Sequence, residues 1–452
     1  MTNTKTEEGL KKVIGVPALT LAIINGVIGA GIFVLPAVVS IALGAFGIFG
    51  YVFCSIMLAA IMLCYAEIGS RVTSSGGSYA YVEAAFGKFP GYIINWLYFF
   101  GFSILSCAAL MNIVADSLAV IFPMFTNYFI RCALFFILIG LMILLNVCST
   151  KQSIRLVKSV TVIKLLPLLC IIIFGFSFIK VDNLRWENFP SSETFGSTIL
   201  VLFFAFAGFE TSLGASGEII NPRKTVPLGI CLGGLSVLVI YMLIQTVTQG
   251  VLGSQVADFK QAPLAEIASK IVGPAGAVIL LISVAISCLG NVTADVLTTS
   301  RSLFAGANDD TFPKFLSKVH PRFATPYFAV ITYGLLIFIF AVSGGFKQLA
   351  ILASAAILLV YLTVILATIK LRKKQSATDV KTFTAPGGLI TPLIGMVAII
   401  WVLANLSKWE ILSTLIFVAV VSVFYVFTKW IKDKHKSLIE QPPVVKVERV
   451  PD

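Results

Sequence analysis

Long apolar runs recur along the whole chain and are the feature that most constrains its fold. The sequence has 452 residues, of which 58% are hydrophobic and only 12% charged, whereas soluble proteins carry about a quarter charged residues. A membrane β-barrel would show alternating segments of about 10 residues instead of continuous runs. Because the runs can cross a ~30 Å hydrocarbon layer as helices, they predict an all-α polytopic membrane protein. We predict twelve transmembrane helices, over residues 13–40, 44–70, 90–122, 127–148, 155–179, 195–219, 226–252, 275–306, 326–343, 347–370, 389–406 and 410–431.

The basic residues predict the orientation of these spans. With the N-terminus in the cytoplasm, 25 of the 33 Lys and Arg residues fall in cytoplasmic segments, seven fall outside, and Lys164 lies within a span. This bias follows the positive-inside rule, so the tails 1–12 and 433–452 are both predicted to be cytoplasmic, on either side of a transmembrane domain over 13–432. The inner or plasma membrane is the expected location. The same distribution explains the net charge of +12 without a nucleic-acid partner.

Two of the apolar runs are interrupted by glycine. The first contains GAGIFVLP, Gly29 to Pro36, and the sixth contains FFAFAGFE, Phe203 to Glu210. Irregular backbone at membrane depth is tolerated only where it lines a cavity in the protein, so 29–33 and 207–208 are candidates for unwound segments. Alternatively, the glycines only permit close helix packing. If the helices are broken, their half-helix N-termini would attract a carboxylate and the freed carbonyls an ammonium, which together indicate an amino acid as ligand.

The position of the second break predicts an internal repeat. It begins a second block of five spans, 195–370, which follows the first block of five, 13–179. Because five is an odd number, the second block would be inverted relative to the first, as in many secondary transporters. The last two spans, 389–431, would lie outside this repeat.

Few ionisable groups fall inside the spans, and each is a candidate for function because a buried charge is costly. Glu210 directly follows the second break, Lys164 lies near the middle of span five, and Asp295 lies in span eight. Asn291 is four residues before Asp295 and shares its helical face. Structural interpretations remain open: Glu210 could only bind freed backbone amides, Lys164 could extend to the membrane surface, and Asp295 could be protonated or paired with another helix.

No motif in the sequence indicates covalent chemistry. Both histidines lie outside the predicted spans. The eight cysteines lie in or at the edge of apolar runs without CxxC spacing, so they are interpreted as small apolar fillers. We find no metal-ligand cluster and no phosphate-binding loop with its lysine. The sequence therefore predicts a protein that is not an enzyme and that has neither a cofactor nor a metal.

Several motifs, in order, resemble the amino acid–polyamine–organocation (APC) transporter superfamily over about residues 12 to 430. GAGIFVLP is similar to the first-helix signature, and CYAEIGSRVTSSGGSYAYVEAAFG, residues 64–87, to the end of helix two and the next loop. FFAFAGFE with EIINPRKTVPLGI, residues 218–230, resembles the helix-six break and its following loop. Residues 300–326, SRSLFAGANDDTFPKFLSKVHPRFATP, resemble the end of helix eight and the intracellular loop.

This resemblance implies a LeuT-like fold with a 5+5 inverted repeat, broken helices 1 and 6, and two additional helices. It implies alternating access by a permease similar to basic amino acid and polyamine antiporters. The substrate carboxylate would meet backbone amides of the first break, its ammonium would meet carbonyls of both breaks, and Phe204 would be a gating aromatic residue. The substrate-binding residues implied or inferred are Ile28, Ala30, Gly31, Ile32, Tyr98, Phe204, Ala207, Gly208, Asn291 and Asp295.

The same resemblance implies residues that couple transport to a second solute. Glu210 matches a glutamate that the antiporters use in coupling. Lys164 matches a lysine whose amine stands where related transporters bind sodium, and it would connect the first break to helix eight near Thr298 or Thr299. The expected second partner is therefore a proton or a counter-substrate, in either uptake or exchange.

Asp295 departs from the pattern of the family, since relatives usually place an apolar, aromatic or small residue at this position of the side-chain pocket. An acidic group there predicts a basic amino acid or an amine as substrate. The rival interpretation is a proton-coupled symporter of neutral amino acids, with Asp295 or Glu210 as the proton carrier. A sensor that uses the same fold without transport is a third alternative, which the short tails disfavour.

Overall fold

The computed structural model describes ten stretches of the chain, and within them the fold is helical. The only extended pairing in these stretches is an isolated bridge between Ile14 and Ile219. The described residues are 14–29, 31–72, 77–148, 164–186, 189–213, 219–260, 262–308, 312–323, 325–373 and 383–439.

The helices follow the predicted spans closely. The first eight are α1 Val16–Val27, α2 Gly31–Leu43, α3 Gly47–Arg71, α4 Ser78–Phe86, α5 Lys88–Trp96, α6 Ile104–Ile121, α7 Tyr128–Cys148 and α8 Lys164–Phe178. The others are α9 Ser192–Phe203, α10 Pro222–Leu252, α11 Pro263–Val272, α12 Pro274–Asn308, α13 Tyr327–Ser343, α14 Phe346–Lys373, α15 Ile390–Leu403 and α16 Lys408–Ile439. A π-helical segment, Leu97–Ser103, joins α5 to α6.

Length and composition identify the helices that can cross a membrane. Among the described residues, eight helical stretches are long and apolar enough, and four shorter apolar helices accompany them. Side chains on α7 and α16 show what surrounds the bundle: Phe129 is 80% exposed and Val423 69% exposed. Apolar side chains exposed to this degree are typical of a surface that faces lipid.

Two short helices, α4 and α11, lie where the sequence predicted connecting segments. Both end at a glycine with positive φ, Gly87 at 92° and Gly273 at 80°, a backbone conformation that glycine adopts readily because it has no Cβ atom. Helix α11 also begins with Pro263, and proline fits the first helical turn because its missing N–H has no partner there. These helices were not predicted because each has only nine or ten residues, too few to span a membrane. Residues 73–76 lie outside the described residues.

A buried ionic cluster ties together α3, α14 and the segment before α15. The carboxylate of Glu67 is fully buried and accepts hydrogen bonds from Arg71, from Arg372 and from the Ala385 amide at 2.9 Å. The carboxylate is enclosed although Glu67 lies near the end of α3. Four donors compensate for the cost of burying the carboxylate, so the cluster fixes one end of α14.

Candidate functional site

The first span is broken between α1 and α2. Helix α1 ends at Val27, Ile28 and Gly29 are not helical, and α2 begins at Gly31. The break is therefore earlier than the predicted 29–33 segment, and Pro36 lies inside α2. The reason is local. The first amides of any helix have no partner within that helix, so α2 can begin directly at Gly31. Ala30 lies outside the described residues.

The second break lies opposite the first one. Helix α9 ends at Phe203 and a 3-10 turn follows over 204–206, after which Ala207 is extended and Gly208 has φ +117°. A Cβ atom on Gly208 would lie 2.5 Å from the carbonyl oxygen of Gly26, and one on Gly26 would lie 2.8 Å from the carbonyl oxygen of Gly208. The two breaks thus contact each other through backbone, which only glycine permits.

Substitution of Gly208 by alanine is expected to abolish transport. It would combine an unfavourable positive φ, which costs about 1–2 kcal/mol, with a backbone clash that must push the breaks apart. Uptake into proteoliposomes measures the loss of transport, and thermal unfolding of the purified protein measures the loss of stability. Gly140→Ala in α7 is the control, since a Cβ there meets nothing within 4 Å. Transport by Gly208→Ala at the level of this control would contradict the assigned contact.

Lys164 connects the first break to α12. Its ammonium is fully buried and donates to the carbonyls of Asn25 at 2.8 Å and Ile28 at 2.7 Å, and to Asn291 Oδ1 at 3.4 Å. The predicted contact near Thr298 or Thr299 is wrong. Asn291 lies about two turns before these threonines on α12, at the height of the first break. The Lys164 ammonium therefore donates to the Asn291 side chain and not to a threonine.

A cavity of about 280 Å³ lies between the two breaks and the helices α6 and α12. The lining residues combine glycines and small polar side chains with aromatic ones. They are Ala22, Asn25, Gly26, Val27, Gly29, Gly31, Phe102, Ser103, Ser106, Cys107, Leu110, Phe204, Ala205, Ala207, Gly208, Thr211, Ser212, Asn291, Ala294, Asp295 and Thr298. Its walls therefore come from four separate stretches of sequence, and its volume suits a small molecule.

Asp295 is the one carboxyl side chain among the described residues of this wall, and its two oxygens differ in their partners. Oδ2 accepts hydrogen bonds from Ser103 at 2.6 Å, from Cys107 Sγ at 3.2 Å and from the Tyr333 hydroxyl. Oδ1 accepts one, from Thr299 at 3.2 Å. A carboxylate oxygen has two lone-pair sites, so Oδ2 is saturated while Oδ1 has capacity for a further donor.

Glu210 lies behind the cavity wall and is enclosed by aromatic residues. Its Oε2 accepts hydrogen bonds from the Gly208 amide at 3.1 Å and from the Tyr361 hydroxyl. Its Oε1 is buried and has no hydrogen-bond partner among the described residues. The ring of Phe209 packs on Tyr361 with centroids 5.5 Å apart. Glu210 is therefore placed to respond to changes at the second break, and it does not line the cavity.

Several predicted substrate-binding residues do line the cavity. These are Gly31, Phe204, Ala207, Gly208, Asn291 and Asp295, together with Thr298 from the predicted coupling set. Thr298 donates to the Ala294 carbonyl at 3.0 Å, as a helical threonine commonly does. Thr299 is buried against Asp295 instead of the cavity.

Three predicted residues are not on the wall. Tyr98 lies in the π-helical segment Leu97–Ser103 and packs on Phe102, with ring centroids 5.8 Å apart, so it stands beside a lining residue without lining the cavity itself. The side chain of Ile32 is fully buried in the core, which leaves only its backbone at the start of α2 available to a ligand. Ile28 is also buried, and its carbonyl accepts from Lys164 in place of the predicted substrate ammonium.

The sequence analysis missed Ser103, Cys107, Tyr333 and Tyr361. Ser103 and Cys107 are four residues apart on α6 and its π-helical extension, so a polar stripe on that helix was a usable signal. Tyr333 and Tyr361 had no such signal, because their hydroxyls find partners on other helices. Within the described residues, no group of three or more His, Cys, Asp or Glu side chains could hold a metal ion.

A bundle of apolar helices with two broken helices around a cavity is typical of integral membrane transporters of small molecules. The chain belongs to the amino acid permease family, whose model matches residues 14–445. It is 26% identical to the serine/threonine exchanger SteT of Bacillus subtilis, over 93% of this chain and 97% of that protein. It is also 26% identical to the branched-chain amino acid permease BcaP of the same species, with 93% and 94% covered.

A mammalian relative is as similar as the bacterial ones. The b(0,+)-type amino acid transporter 1 of Mus musculus is 26% identical over 96% of this chain and 91% of its own. These relatives are transporters and not enzymes. The predicted APC resemblance is thereby confirmed, and the protein is an integral membrane protein related to amino acid permeases and exchangers.

Proposed function

We propose that the protein transports amino acids by alternating access and prefers substrates with a cationic side chain. The observation that carries this proposal is Asp295 Oδ1, an acceptor with spare capacity on the wall of the cavity between the two broken helices. An ammonium or guanidinium group donates well to such an acceptor.

The charge of the cavity supports this substrate class. Of its described lining residues, Asp295 is the one carboxyl side chain, and neither Lys nor Arg is present. The shared carboxylate and ammonium of an amino acid cancel each other in net charge. A cationic side chain would therefore balance the charge of Asp295, and an unpaired charge away from bulk water is costly.

The ends of the substrate would be bound by the two breaks. The first amides of α2, from Gly31 and Ile32, are oriented toward a carboxylate by the helix dipole. Carbonyls around Ala207 and Gly208 would accept from the α-ammonium. Ala30 belongs to the same proposed set, and Phe204, which is 7% exposed and packs on Phe346, would be the gating residue.

We further propose that this fold is LeuT-like, with twelve spans in a 5+5 inverted repeat followed by two helices. The eight long and four shorter apolar helices support this arrangement, because together they cover all twelve predicted spans. The breaks lie at the first helix of each proposed repeat. The distribution of basic residues supports cytoplasmic termini in an inner or plasma membrane.

Coupling is proposed to use a proton or a counter-substrate, and not sodium. The ammonium of Lys164 already supplies a cation to the carbonyls of the first break, so a metal ion there would meet like charge. A movement of the second break would change the hydrogen bond from the Gly208 amide to Glu210, and this would couple Glu210 to the break. Thr298 and Thr299 would act through the cavity wall and through Asp295.

A second candidate function is proton-coupled transport of neutral amino acids. Two of the relatives are named for serine and threonine and for branched-chain amino acids, and the buried Glu210 has one oxygen without a partner among the described residues. A proton could occupy that oxygen. In this case Asp295 would also be a candidate proton carrier.

A counterflow experiment separates these functions. The purified protein is reconstituted in liposomes loaded with arginine, lysine, ornithine, putrescine, leucine, alanine or glutamate, and the uptake of labelled substrate is measured at two pH values. We expect saturable counterflow with the cationic compounds and little dependence on sodium. Counterflow restricted to leucine and alanine, with a strong pH dependence, would favour the second candidate and exclude the first.

A further inference from the structure

Tyr333 contacts the key carboxylate from outside the cavity. It lies on α13, it is fully buried, and its hydroxyl donates to Asp295 Oδ2. The same hydroxyl is 2.6 Å from Ser103 Oγ. No described residue of α13 lines the cavity, so Tyr333 cannot touch a substrate there except through Asp295.

The two carboxylate oxygens of Asp295 differ in their contacts: Oδ2 is held by three donors, and Oδ1 can accept a further hydrogen bond. The three donors on Oδ2 come from two different elements, since Ser103 and Cys107 lie on the α6 side and Tyr333 lies on α13. A carboxylate torsion is otherwise broad and nearly two-fold, so the two oxygens would exchange without these partners. The phenol hydroxyl is the donor that comes from a separate helix, α13, and together with Ser103 it holds the carboxylate in one orientation.

We propose that Tyr333 is a positioning residue for substrate selectivity, which holds Oδ2 so that Oδ1 stays available to a cationic side chain. This inference rests on the proposed function, because Tyr333 would act through Asp295, the residue that is proposed to bind the substrate side chain. It adds Tyr333 to the residues that determine selectivity, although Tyr333 does not contact the substrate. Tyr333 acts on the choice among side chains, since its hydroxyl contacts Asp295, Ser103 and Cys107, none of which belongs to a break.

The test compares Tyr333→Phe with Tyr51→Phe. Tyr51 is an equally buried tyrosine on α3 whose hydroxyl has no partner among the described residues, so its removal controls for the loss of a buried hydroxyl. The readout is the concentration of lysine, arginine, leucine or alanine that half-inhibits counterflow. We expect Tyr333→Phe to raise the values for lysine and arginine about tenfold, as one lost bond to a charged group allows, and to leave those for leucine and alanine unchanged. Tyr51→Phe should change none.

A double substitution separates positioning from general damage. In an Asp295→Asn background, Tyr333→Phe should have no further effect on lysine inhibition, because coupled residues are not additive. Equal losses for all four amino acids would overturn the positioning role, as would unchanged lysine inhibition in Tyr333→Phe. If the wild-type protein preferred lysine and only Asp295→Asn reduced that preference, the proposed function would stand without this inference. A wild-type protein that does not recognise lysine or arginine would overturn both.

Discussion

Asp295→Asn should raise the half-inhibiting concentration of lysine or arginine in counterflow by about 30-fold, which corresponds to roughly 2 kcal/mol. The substitution keeps the shape of the side chain and an acceptor for Ser103 and Tyr333. It removes the negative charge, and losing one partner of a desolvated charge pair typically costs 2–5 kcal/mol. Counterflow with leucine or alanine should persist, since neutral side chains do not need the charge. The measurement is competition against a labelled substrate in proteoliposomes.

The matched control for this substitution is Asp182→Asn. Asp182 is an exposed carboxylate whose side chain is 87% accessible and which pairs with Arg185, so the same chemical change there should leave every value unaltered. The proton-carrier interpretation gives a different pattern. It expects Asp295→Asn to remove the pH dependence of leucine transport, while lysine and arginine are never bound. That result would refute the cationic preference.

Lys164→Met should abolish transport of every substrate and lower the unfolding temperature of the purified protein. Methionine has a similar length but cannot donate, so the carbonyls of Asn25 and Ile28 lose their 2.8 and 2.7 Å hydrogen bonds. A buried acceptor left unpaired costs about 1–3 kcal/mol, and here both acceptors belong to the break that would bind the substrate. We expect an uptake rate at least about tenfold lower for cationic and neutral amino acids alike.

Lys180→Met provides the comparison, since Lys180 is exposed just after the same helix. It should keep the wild-type uptake rate and unfolding temperature. A folded Lys164→Met protein with undiminished transport would show that the break is held by other contacts. Together with Asp295→Asn, this experiment separates two kinds of effect: Lys164 supports the site for all substrates, whereas Asp295 distinguishes among them.

The positions of the helices and of the breaks were largely predictable from sequence. Apolar runs and glycines mark them because every backbone N–H and C=O group in lipid must be hydrogen-bonded within the protein. The relation between Asn291 and Asp295 was also predictable, since residues four apart share a helical face, and both line the cavity. The structure places the first break earlier than predicted, at Ile28, because α2 already begins at Gly31, and it places Tyr98 behind the lining residue Phe102.

The contacts of Asp295 were decided by the tertiary structure alone. Its partners Ser103 and Tyr333 are 192 and 38 residues away in the chain, and hydropathy has no period that relates such positions. The same holds for Lys164, whose partner on α12 is Asn291 and not the predicted threonines. The sequence by itself determined that a helical membrane protein with two broken spans and a few buried charges would form. Which groups those charges meet depended on helix rotation and depth, and these are set by side-chain packing between helices.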